Sequence, residues 1–592
     1  MIVPSLEWHL PEPLLDPPAF TGFGRPVATL LARRGFRDEA QLNGFLQAGT
    51  ASLHDVSLMA DAGVALDRLA QALDRGERIA IWGDYDADGM TAVVVWSIAL
   101  RAMGAEAVRH VPDRLADGYG LSNTGLDRLA AAGVSLVVTC DCGVVNVDEV
   151  EHARALGVDV IVTDHHLPAG ALPRAVAVVD PHRPDCTYPD ADLTGAGIAY
   201  KLAGALLARR GATAADLAGV AAIGTIADLA PMTGESRAIV GLGLQELAAT
   251  QRAGLRALLA RACEVPEHPT ARDLGYGVAP RINAAGRIAE AELAISLMLA
   301  EDPIEAERIA EELEAVNRAR REMTAAAVTQ ALELAEGMPA AGPLAIRHDD
   351  WAPGIVGLIA GRLADRLGRP VAAAAPVGAE LRGSVRAPTD FHAAAALEAC
   401  ADLLLKRGGH AGAGGFSVAV GRWDEFVERF GALSRPFPAG AGVEPEAAGR
   451  ITVDLVLPAA HLGWSLADQI ARLAPFGPGH VEPVLAVTGL RVGAARRIGP
   501  DGRHLSLRML RGAESFDAIA FGCPLERPLP EEGSRLDLVG TLERDTFQDQ
   551  PRLRLRVIDY ASADGSPLAA RRRDAAAPGI AAIAIGDPVA AG

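Results

Sequence analysis

The pattern of apolar and polar positions changes at about residue 78, where short apolar runs begin to alternate with stretches of helical period. The apolar runs predict buried strands, and the longer stretches between them predict helices. Such alternation is typical of a parallel sheet with right-handed crossovers. The predicted elements are a strand over 78–82 and a helix to Met103, a strand over 105–111, a strand over 136–139 and a helix to Leu156, and a strand over 158–163.

The rest of the chain divides by composition. Proline-broken helical patterns over residues 1–75 predict a helical extension, and a charged stretch over 301–338 predicts a long connecting helix. Gly-rich turns over 339–440 favour a smaller α/β domain, and short alternating strands over 450–560 favour a small β-barrel. The predicted fold class is α/β, with a parallel-sheet domain over 76–300 and a disordered tail over 561–592.

Acidic and imidazole side chains gather just after these predicted strands. Asp84, Asp86 and Asp88 follow the first strand within five residues, and the later groups are Asp141, Asp164, His165, His166 and Asp228. Side chains just past the carboxyl ends of neighbouring parallel strands converge on one crevice. Carboxylates with imidazole suit Mn²⁺ or Mg²⁺, and crowded carboxylates without cations would repel one another. The set predicts two ions, about 3.5–4 Å apart, that share a bridging carboxylate.

Each piece has a structural alternative when it is taken alone. The aspartates after the first strand also suit a solvated loop or an Asx turn. Asp141 could cap the helix that follows it, the two histidines could begin a helix with one ring buried, and Asp228 could be a solvated helix-end residue. The metal hypothesis therefore depends on all four segments meeting at one sheet edge.

Composition sets the outer limits of function. The 592 residues are half apolar, yet uncharged apolar stretches such as 90–100 are shorter than the roughly 18 residues that span a bilayer. The first residues lack the pattern of a secretory signal, so we expect a cytoplasmic location. Six scattered cysteines give no disulfide framework, and Cys140 and Cys142 are predicted to pack on the face opposite Asp141.

The formal net charge of −19 excludes a broadly basic duplex binder. A protein needs only a local basic groove to bind a polyanion, so a nucleic-acid partner is compatible with this net charge. We expect weak non-specific duplex binding and a strong dependence on salt and cations. The candidate strand contacts of the barrel segment are Arg496, Arg497, Arg503, His504, Arg508, Phe547 and Arg552.

The motifs resemble those of a known family. Asp164-His165-His166, the segment 84–89 and the segment 224–228 are similar to the signatures of the DHH phosphoesterase superfamily. Within it, the chain most resembles the single-stranded-DNA exonucleases, through segments 111–114, 117–122, 280–287, 383–386 and 408–415. The resemblance implies a DHH domain, a DHHA1 domain over 339–440 and an OB-fold barrel, with 5′ to 3′ release of mononucleotides.

The resemblance also implies roles for individual residues. The expected metal ligands are Asp84, Asp86, Asp88, Asp141, His165 and Asp228. His166 is expected to donate to the scissile phosphate, with Asp164 orienting an imidazole from behind. The phosphate next to the scissile one is expected to be bound by Arg281, Asn283 and Arg287. The 5′ phosphate is expected to be bound by Arg114, Ser384 and Arg386. His410 lies in a glycine-dense segment that suits either phosphate approach or close packing.

Two alternatives to an exonuclease stay open at this point. One is a DHH phosphodiesterase of small nucleotides or short oligonucleotides, although such relatives lack the additional barrel segment. The other is a non-catalytic DNA-binding relative, which would be expected to lose its buried carboxylates. For an exonuclease, the resemblance implies a single-strand binding protein and a helicase as partners, since unpaired DNA must be supplied.

Overall fold

The computed structural model describes residues 1–114, 118–339, 341–388, 390–433, 449–499, 501–512, 514–545 and 552–569. In chain order its strands are β1 Glu7–His9, β2 Ile79–Trp82, β3 Val108–His110, β4 Leu136–Thr139, β5 Asp159–Thr163, β6 Ala177–Val179, β7 Leu344–Arg347, β8 Val371–Val377, β9 Glu380–Arg386, β10 Leu404–Gly409, β11 Ala413–Ala419, β12 Arg450–Thr452, β13 Leu455–Pro458, β14 Leu485–Ile498, β15 His504–Arg511, β16 Glu514–Ala520, β17 Arg535–Asp545 and β18 Arg552–Ser562.

The helices over the same residues are α1 Arg25–Arg33, α2 Glu39–Leu46, α3 Ala62–Arg75, α4 Ala87–Ala102, α5 Asn123–Ala131, α6 Val147–Ala155, α7 Gly195–Arg209, α8 Leu217–Ala227, α9 Gly234–Ala249, α10 Ala253–Ala262, α11 Ala271–Asp273, α12 Ala279–Ile288, α13 Ala291–Leu299, α14 Pro303–Glu336, α15 Val356–Leu367, α16 Ala393–Glu398, α17 Trp423–Gly431 and α18 Trp464–Ala471. The chain forms two compact units, Gly49–Glu446 and the combination of Met1–Ala48 with Ala447–Gly592. No helix of the described ranges is both long and apolar enough to cross a membrane.

The larger unit is built around a parallel sheet of order β3-β2-β4-β5-β6. Every residue of β2 and β4 is buried, as expected for central strands covered on both faces. Trp82 pairs with Thr139 at the ends of these strands, so the residues that follow emerge at the same edge. The predicted α/β class with a parallel sheet is confirmed.

A long helix and a second sheet complete this unit. Helix α14 runs for 34 residues and is capped by the preceding Asp302, whose carboxylate accepts hydrogen bonds from the N–H groups of Ile304 and Glu305. The second sheet has the order β10-β11-β9-β8-β7, in which only β7 and β8 are parallel. It carries Ser384 and Arg386 on β9 and presents His410 just after β10.

The smaller unit contains a closed barrel. Strands β14, β15, β16, β18 and β17 follow one another around it, and β17 pairs back with β14. Closure removes the unpaired strand edges of a sheet this small. The predicted C-terminal barrel is therefore confirmed.

The first 75 residues differ from the single helical extension that the sequence suggested. β1 pairs in parallel with β12, and residues 1–48 belong with the barrel, whereas α3 lies in the larger unit. Phe20, Leu30 and Leu31 are buried in one core with barrel residues such as Leu485. The short, proline-broken helices bury their apolar faces on the barrel because they are too small to cover one another.

A buried carboxylate ties the first strand to the barrel. Asp559 accepts hydrogen bonds from the Trp8 indole at 2.8 Å and the Leu6 N–H at 2.9 Å, and it pairs with Arg527 at 2.6 Å. Burial by itself would raise the pKa of Asp559, but these donors outweigh it and lower the pKa. The carboxylate thus stabilises the folded unit at pH values above about 4, its unfolded pKa.

Asp559→Asn should destabilise this unit by about 3–5 kcal/mol near neutral pH. The NH₂ group of the amide would face the N–H donors that now bind the carboxylate, and the buried charge of Arg527 would lose its partner. The difference between the variant and the parent should shrink as the pH falls below about 4, where the carboxylate itself becomes protonated. Hydrogen exchange of the β18 amides would measure both effects. Asp564→Asn, in an exposed turn, is the control, and equal loss in both variants would contradict the assignment.

Candidate active site

The acidic residues predicted to bind metal meet at the carboxyl edge of the parallel sheet. His165 lies at their centre, with its Nε2 atom 2.9 Å from Asp141, 3.8 Å from Asp88 and 3.8 Å from Asp228. Three overlapping groups each bring their ligand atoms within 4.8 Å of one another. They are Asp84, Asp86 and Asp141; Asp88, His165 and Asp228; and Asp141, His165 and His166.

The donor set fits hard divalent cations. It is composed of carboxylate oxygens and imidazole nitrogens, the ligands that suit Mn²⁺ and Mg²⁺. Asp84 supplies an independent test, because its Oδ1 atom is buried and no described residue donates a hydrogen bond to it. A buried carboxylate oxygen without a donor is costly unless a cation approaches it. The residues present therefore fit a metal centre.

Local backbone features aim these side chains. Asp86 precedes α4 and its Oδ1 accepts hydrogen bonds from the N–H groups of Asp88 and Gly89, so the same acidic turn begins the helix. A Cβ atom at Gly89 would lie 2.4 Å from the Asp84 nitrogen, so only glycine permits this tight return. Asp141 has a φ of 64°, a conformation that Asp and Asn adopt more readily than most residues.

A glycine-rich helix start holds Asp88 from the other side. The carboxylate of Asp88 accepts hydrogen bonds from Gly195 N–H at 2.7 Å and Ala196 N–H at 3.0 Å, at the beginning of α7. A Cβ atom at Gly195 would lie 2.6 Å from the Cβ of Asp141, so a larger residue would push the two aspartates apart. Gly195 was not among the predicted site residues, although a Thr-Gly-Ala-Gly segment at a helix start is typical of backbone N–H groups that bind an anion.

Electrostatics show that the cluster is incomplete without positive charge. Burial, followed by the charge of Asp86, raises the pKa of Asp84 and Asp141 well above the ordinary range. The same causes raise the pKa of Asp88 to about 7, and burial with the charge of Asp88 raises that of Asp228 to about 8. Burial, reinforced by His166, lowers the pKa of His165 to about 4 and keeps its ring neutral, as a metal ligand requires.

His166 has the opposite character because Asp164 supports it. Asp164 is fully buried, and its Oδ1 lies 2.7 Å from the His166 Nδ1 atom. Burial alone would lower the pKa of His166, but the hydrogen bond and charge of Asp164 raise it to about 9. Asp164 also accepts hydrogen bonds from the N–H groups of Val144 and His165. It thereby orients both histidines from behind and favours the protonated form of His166.

Three further residues complete this edge and were assigned no role from the sequence. The Tyr119 hydroxyl donates to the Asp141 carbonyl at 3.1 Å and lies 3.0 Å from His166 Nδ1. Asp180 follows β6, is fully buried and accepts a hydrogen bond from the N–H of His182. The His182 ring in turn lies 2.7 Å from the His165 carbonyl. The position of Asp180 just past a strand end was the one available signal.

The cysteines beside Asp141 take no part in this set of contacts. Cys140 and Cys142 are both fully buried, and burial raises the pKa of both thiols. A protonated, buried thiol packs as a small apolar group.

An arginine cluster lies beside the acidic turn. Arg114 covers the Tyr85 ring, with its guanidinium carbon 4.7 Å from the ring centre. Burial, with the positive charges of Arg114 and Arg320, lowers the pKa of Arg287 to about 9. Arg386 is 2.6 Å from the Ser384 hydroxyl, and burial with the charge of Arg114 lowers its pKa. Within the part of the chain that the structure describes, no ion pair joins Arg114, Arg287 or Arg386 to an acid, and partly buried guanidinium groups of this kind indicate a place for an anion.

Arg281 and Asn283 are already engaged by the protein. Arg281 pairs with Glu314 of α14 at 2.6 Å and donates to the Gly277 carbonyl at 2.8 Å. Asn283 accepts a hydrogen bond from Ala87 N–H at 2.9 Å and so braces the start of α4. The structure thus engages Arg281 in an ion pair with α14 and gives Asn283 a supporting contact with the acidic turn.

The remaining candidates lie elsewhere. Burial, followed by the positive charges of Arg386 and His166, lowers the pKa of His410. In the barrel, Arg497 donates to the carbonyls of Cys523, Pro524 and Arg527, which gives it a structural contact. Arg508 and Arg552 each lie 3.8 Å from Asp517. Phe547 of the barrel set and Asp117 of the quoted segment lie outside the described residues.

Comparison with known proteins places these features in a family. Family models for the DHH family N-terminal domain, the DHHA1 domain and the RecJ OB domain match residues 78–225, 338–434 and 453–559. The single-stranded-DNA-specific exonuclease RecJ of Dickeya dadantii is 36% identical over 544 residues, which cover 88% of this chain and 91% of that protein. The chain belongs to the RecJ family.

Solved RecJ structures agree with this assignment. The crystal structure of Thermus thermophilus RecJ with Mn²⁺ superposes with a TM-score of 0.78 at 30% identity, covering 94% of this chain and 79% of that one. The Mg²⁺ complex of the same protein gives a TM-score of 0.73 at 29% identity, covering 95% and 79%. One of these RecJ structures is a complex with Mn²⁺ and the other a complex with Mg²⁺, and both cations suit the donor atoms of the acidic cluster.

Proposed function

We propose that this protein is a 5′ to 3′ exonuclease that degrades single-stranded DNA to mononucleotides by metal-dependent phosphodiester hydrolysis, in recombination and repair. The observation that carries this proposal is the acidic cluster around His165 next to the buried arginines, in a chain of the RecJ family. One part of the site suits divalent ions and the neighbouring part suits a phosphate group. The cofactor is Mn²⁺ or Mg²⁺, with two ions expected.

The side chains divide the work of hydrolysis. Asp84, Asp86, Asp88, Asp141, His165 and Asp228 would hold the ions. When bound, such a pair lowers the pKa of water and neutralises charge on the reacting phosphate. The His166 imidazolium, fixed by Asp164, donates a hydrogen bond to the scissile phosphate. Attack of water on phosphorus breaks its bond to the 3′ oxygen of the terminal nucleotide, which leaves with a proton.

The arginine cluster gives the reaction its direction. Arg114, Ser384 and Arg386 are proposed to bind the 5′ phosphate, and Arg287 the phosphate next to it. The cut leaves the scissile phosphate on the shortened strand, so every turnover recreates the 5′ phosphate that the cluster binds. A strand held at that end is shortened from its 5′ side.

We propose the division into DHH, connecting-helix, DHHA1 and OB segments at 76–300, 301–338, 339–440 and 450–560. The disordered tail predicted over 561–592 is wrong at its start, because β18 continues to Ser562 and Leu568 is buried, and residues 570–592 lie outside the described residues. The barrel supplies a second hold on the strand, in keeping with single-strand binding by OB folds. A single-strand binding protein and a helicase are the proposed partners, and the cytoplasm is the proposed location. Co-purification of either protein with the full chain would test these partners.

The function is tested by digestion of single strands labelled at the 5′ or the 3′ end. With Mn²⁺ or Mg²⁺, the 5′ label should appear at once as mononucleotide, whereas the 3′ label stays on the strand until late. Chelation by EDTA should stop both reactions, and blunt duplex should resist. Immediate release of the 3′ label would refute the direction, and preferred hydrolysis of cyclic dinucleotides would support the small-nucleotide alternative.

The 5′-phosphate contact makes a separate prediction. Arg386→Gln should reduce the preference for 5′-phosphorylated over 5′-hydroxyl strands by about tenfold or more, since a charge-assisted hydrogen bond contributes about 1.5–3 kcal/mol. Initiation rates on the two strands measure this preference. Arg407→Gln is the matched control, because Arg407 pairs with Glu398 on the exposed side of β10. An unchanged preference in Arg386→Gln would exclude it from the phosphate site.

A further inference from the structure

A large open cleft adjoins the active site, and beyond its inner end it is used by no step described above. Its volume is about 1400 Å³. The edge strand β3 forms one wall, the segment from Gly286 to Glu292 forms another, and Ala319 and Met323 of α14 with the turn 352–354 close it. Pockets that enclose small organic ligands measure about 300–1,000 Å³, so the cleft has room for a nucleotide to move through it.

The inner end of this cleft belongs to the catalytic centre. Tyr85, which lies between two of the metal-binding aspartates, lines the cleft together with Arg114 and Arg287. From there the cleft follows β3 back from Arg114, beyond its last residue, to Glu106, before its first. Arg78, which precedes β2, lines the same far end. The cleft therefore leads from the site past the edge of the sheet.

The charges along the cleft change from one end to the other. At the inner end, Arg114 and Arg287 line the cleft together with Asp113, so two cations face one carboxylate there. Midway, Arg109 of β3 pairs with Glu292 at 2.6 Å, and at the outer end Glu106 accompanies Arg78. A phosphate is thus bound most strongly beside the site and only weakly farther along the cleft. A product that has left the inner end is therefore not held again on its way out.

We propose that this cleft is the exit route of the released 5′-mononucleotide, an inference that rests on the proposed exonuclease function. After each cut the remaining strand still occupies the substrate groove, so the product cannot leave by the way that the substrate entered. The Arg114 guanidinium covers the Tyr85 ring at this junction, where it already holds the 5′ phosphate of the nucleotide that is cut off. The product then moves along β3 toward Glu106.

Two filling substitutions test the route. Met323→Trp adds bulk at a half-exposed wall position, and Ala319→Trp adds it one helical turn earlier on the same face of α14. Ala325→Trp, exposed on another face of the same helix, is the matched control. Each variant is first compared with the parent by circular dichroism and thermal unfolding. If Ala319→Trp does not fold, Met323→Trp alone tests the route.

The measurement separates the first cut from later ones by using single strands that carry a label on either the first or the fifth nucleotide. Acid-quenched reactions count bound and free product together, so the filling variants should release the first label at the parental rate. They should release the fifth label at least threefold more slowly, and the control should match the parent on both. An unchanged fifth-label rate would overturn the exit route, and equal slowing of both labels would assign the cleft to catalysis or entry. If the parent itself released no mononucleotide, the proposed function would fail instead.

Discussion

Asp141→Asn should lower metal-dependent nucleotide release by about 10²-fold or more, the largest effect expected of a single substitution in this chain. Asp141 is a member of two of the three ligand groups, and its carboxylate is the one nearest the His165 Nε2 atom. The amide keeps the shape and tolerates the positive φ of this position, so the fold should persist. Loss of one negative charge removes a ligand that the other aspartates cannot replace.

Single-turnover digestion and calorimetric Mn²⁺ titration would together measure this prediction. Both the cleavage rate and the Mn²⁺ affinity should fall in Asp141→Asn. Asp148→Asn, in the exposed first turn of α6, should match the parent in both measurements. Parental activity in Asp141→Asn would remove this residue from the metal centre.

Asp164→Asn should reduce activity by about 10–100-fold through a different route. Asp164 binds no substrate in our proposal, but it receives the N–H of His165 and the ring of His166. An amide cannot stabilise the His166 imidazolium, so the pKa of His166 should fall from about 9 toward that of a free imidazole, about 6.5. The kcat should fall more than the KM rises, since the hydrogen bond to phosphate matters most in the transition state.

The pair of Asp127 and His152 offers a control for Asp164. These residues also form an Asp–His contact, at 2.8 Å, but on the exposed surface of α5 and α6. Asp127→Asn should leave activity unchanged, and NMR titration of the histidines would report whether only the Asp164 variant shifts the His166 pKa. An unshifted His166 would show that Asp164 does not support its charge.

The sequence predicted the acidic centre well because its position depends on local features. Strands β2, β4 and β5 are read from short apolar runs, and a chemical group that follows a parallel strand can only emerge at one sheet edge. Asp228 was harder, since it follows a helix, yet it lies 3.8 Å from His165. Whether each of these residues binds metal remains a prediction that the substitutions above will test.

Other features depend on packing that no local pattern records. The pairing of Arg281 with Glu314 follows from how α12 lies against α14, and the contacts of Arg497 follow from barrel closure. The pairing of β1 with β12 joins residues more than 400 positions apart. Tyr119 lies in the quoted segment 117–122 and Asp180 follows a strand, but neither pattern indicates which side chains these residues contact. Long-range register, rather than residue type, separated what could be predicted from what could not.

The shared core of residues 1–48 and the barrel has a consequence for dissecting this enzyme. A fragment shortened only at its carboxyl terminus would expose Trp8, Phe20 and Leu30 to water, because the barrel residues that bury these side chains would be missing. Such a fragment invites aggregation that could be mistaken for a catalytic defect. A minimal catalytic fragment should instead be trimmed at both termini, to the span Gly49–Glu446.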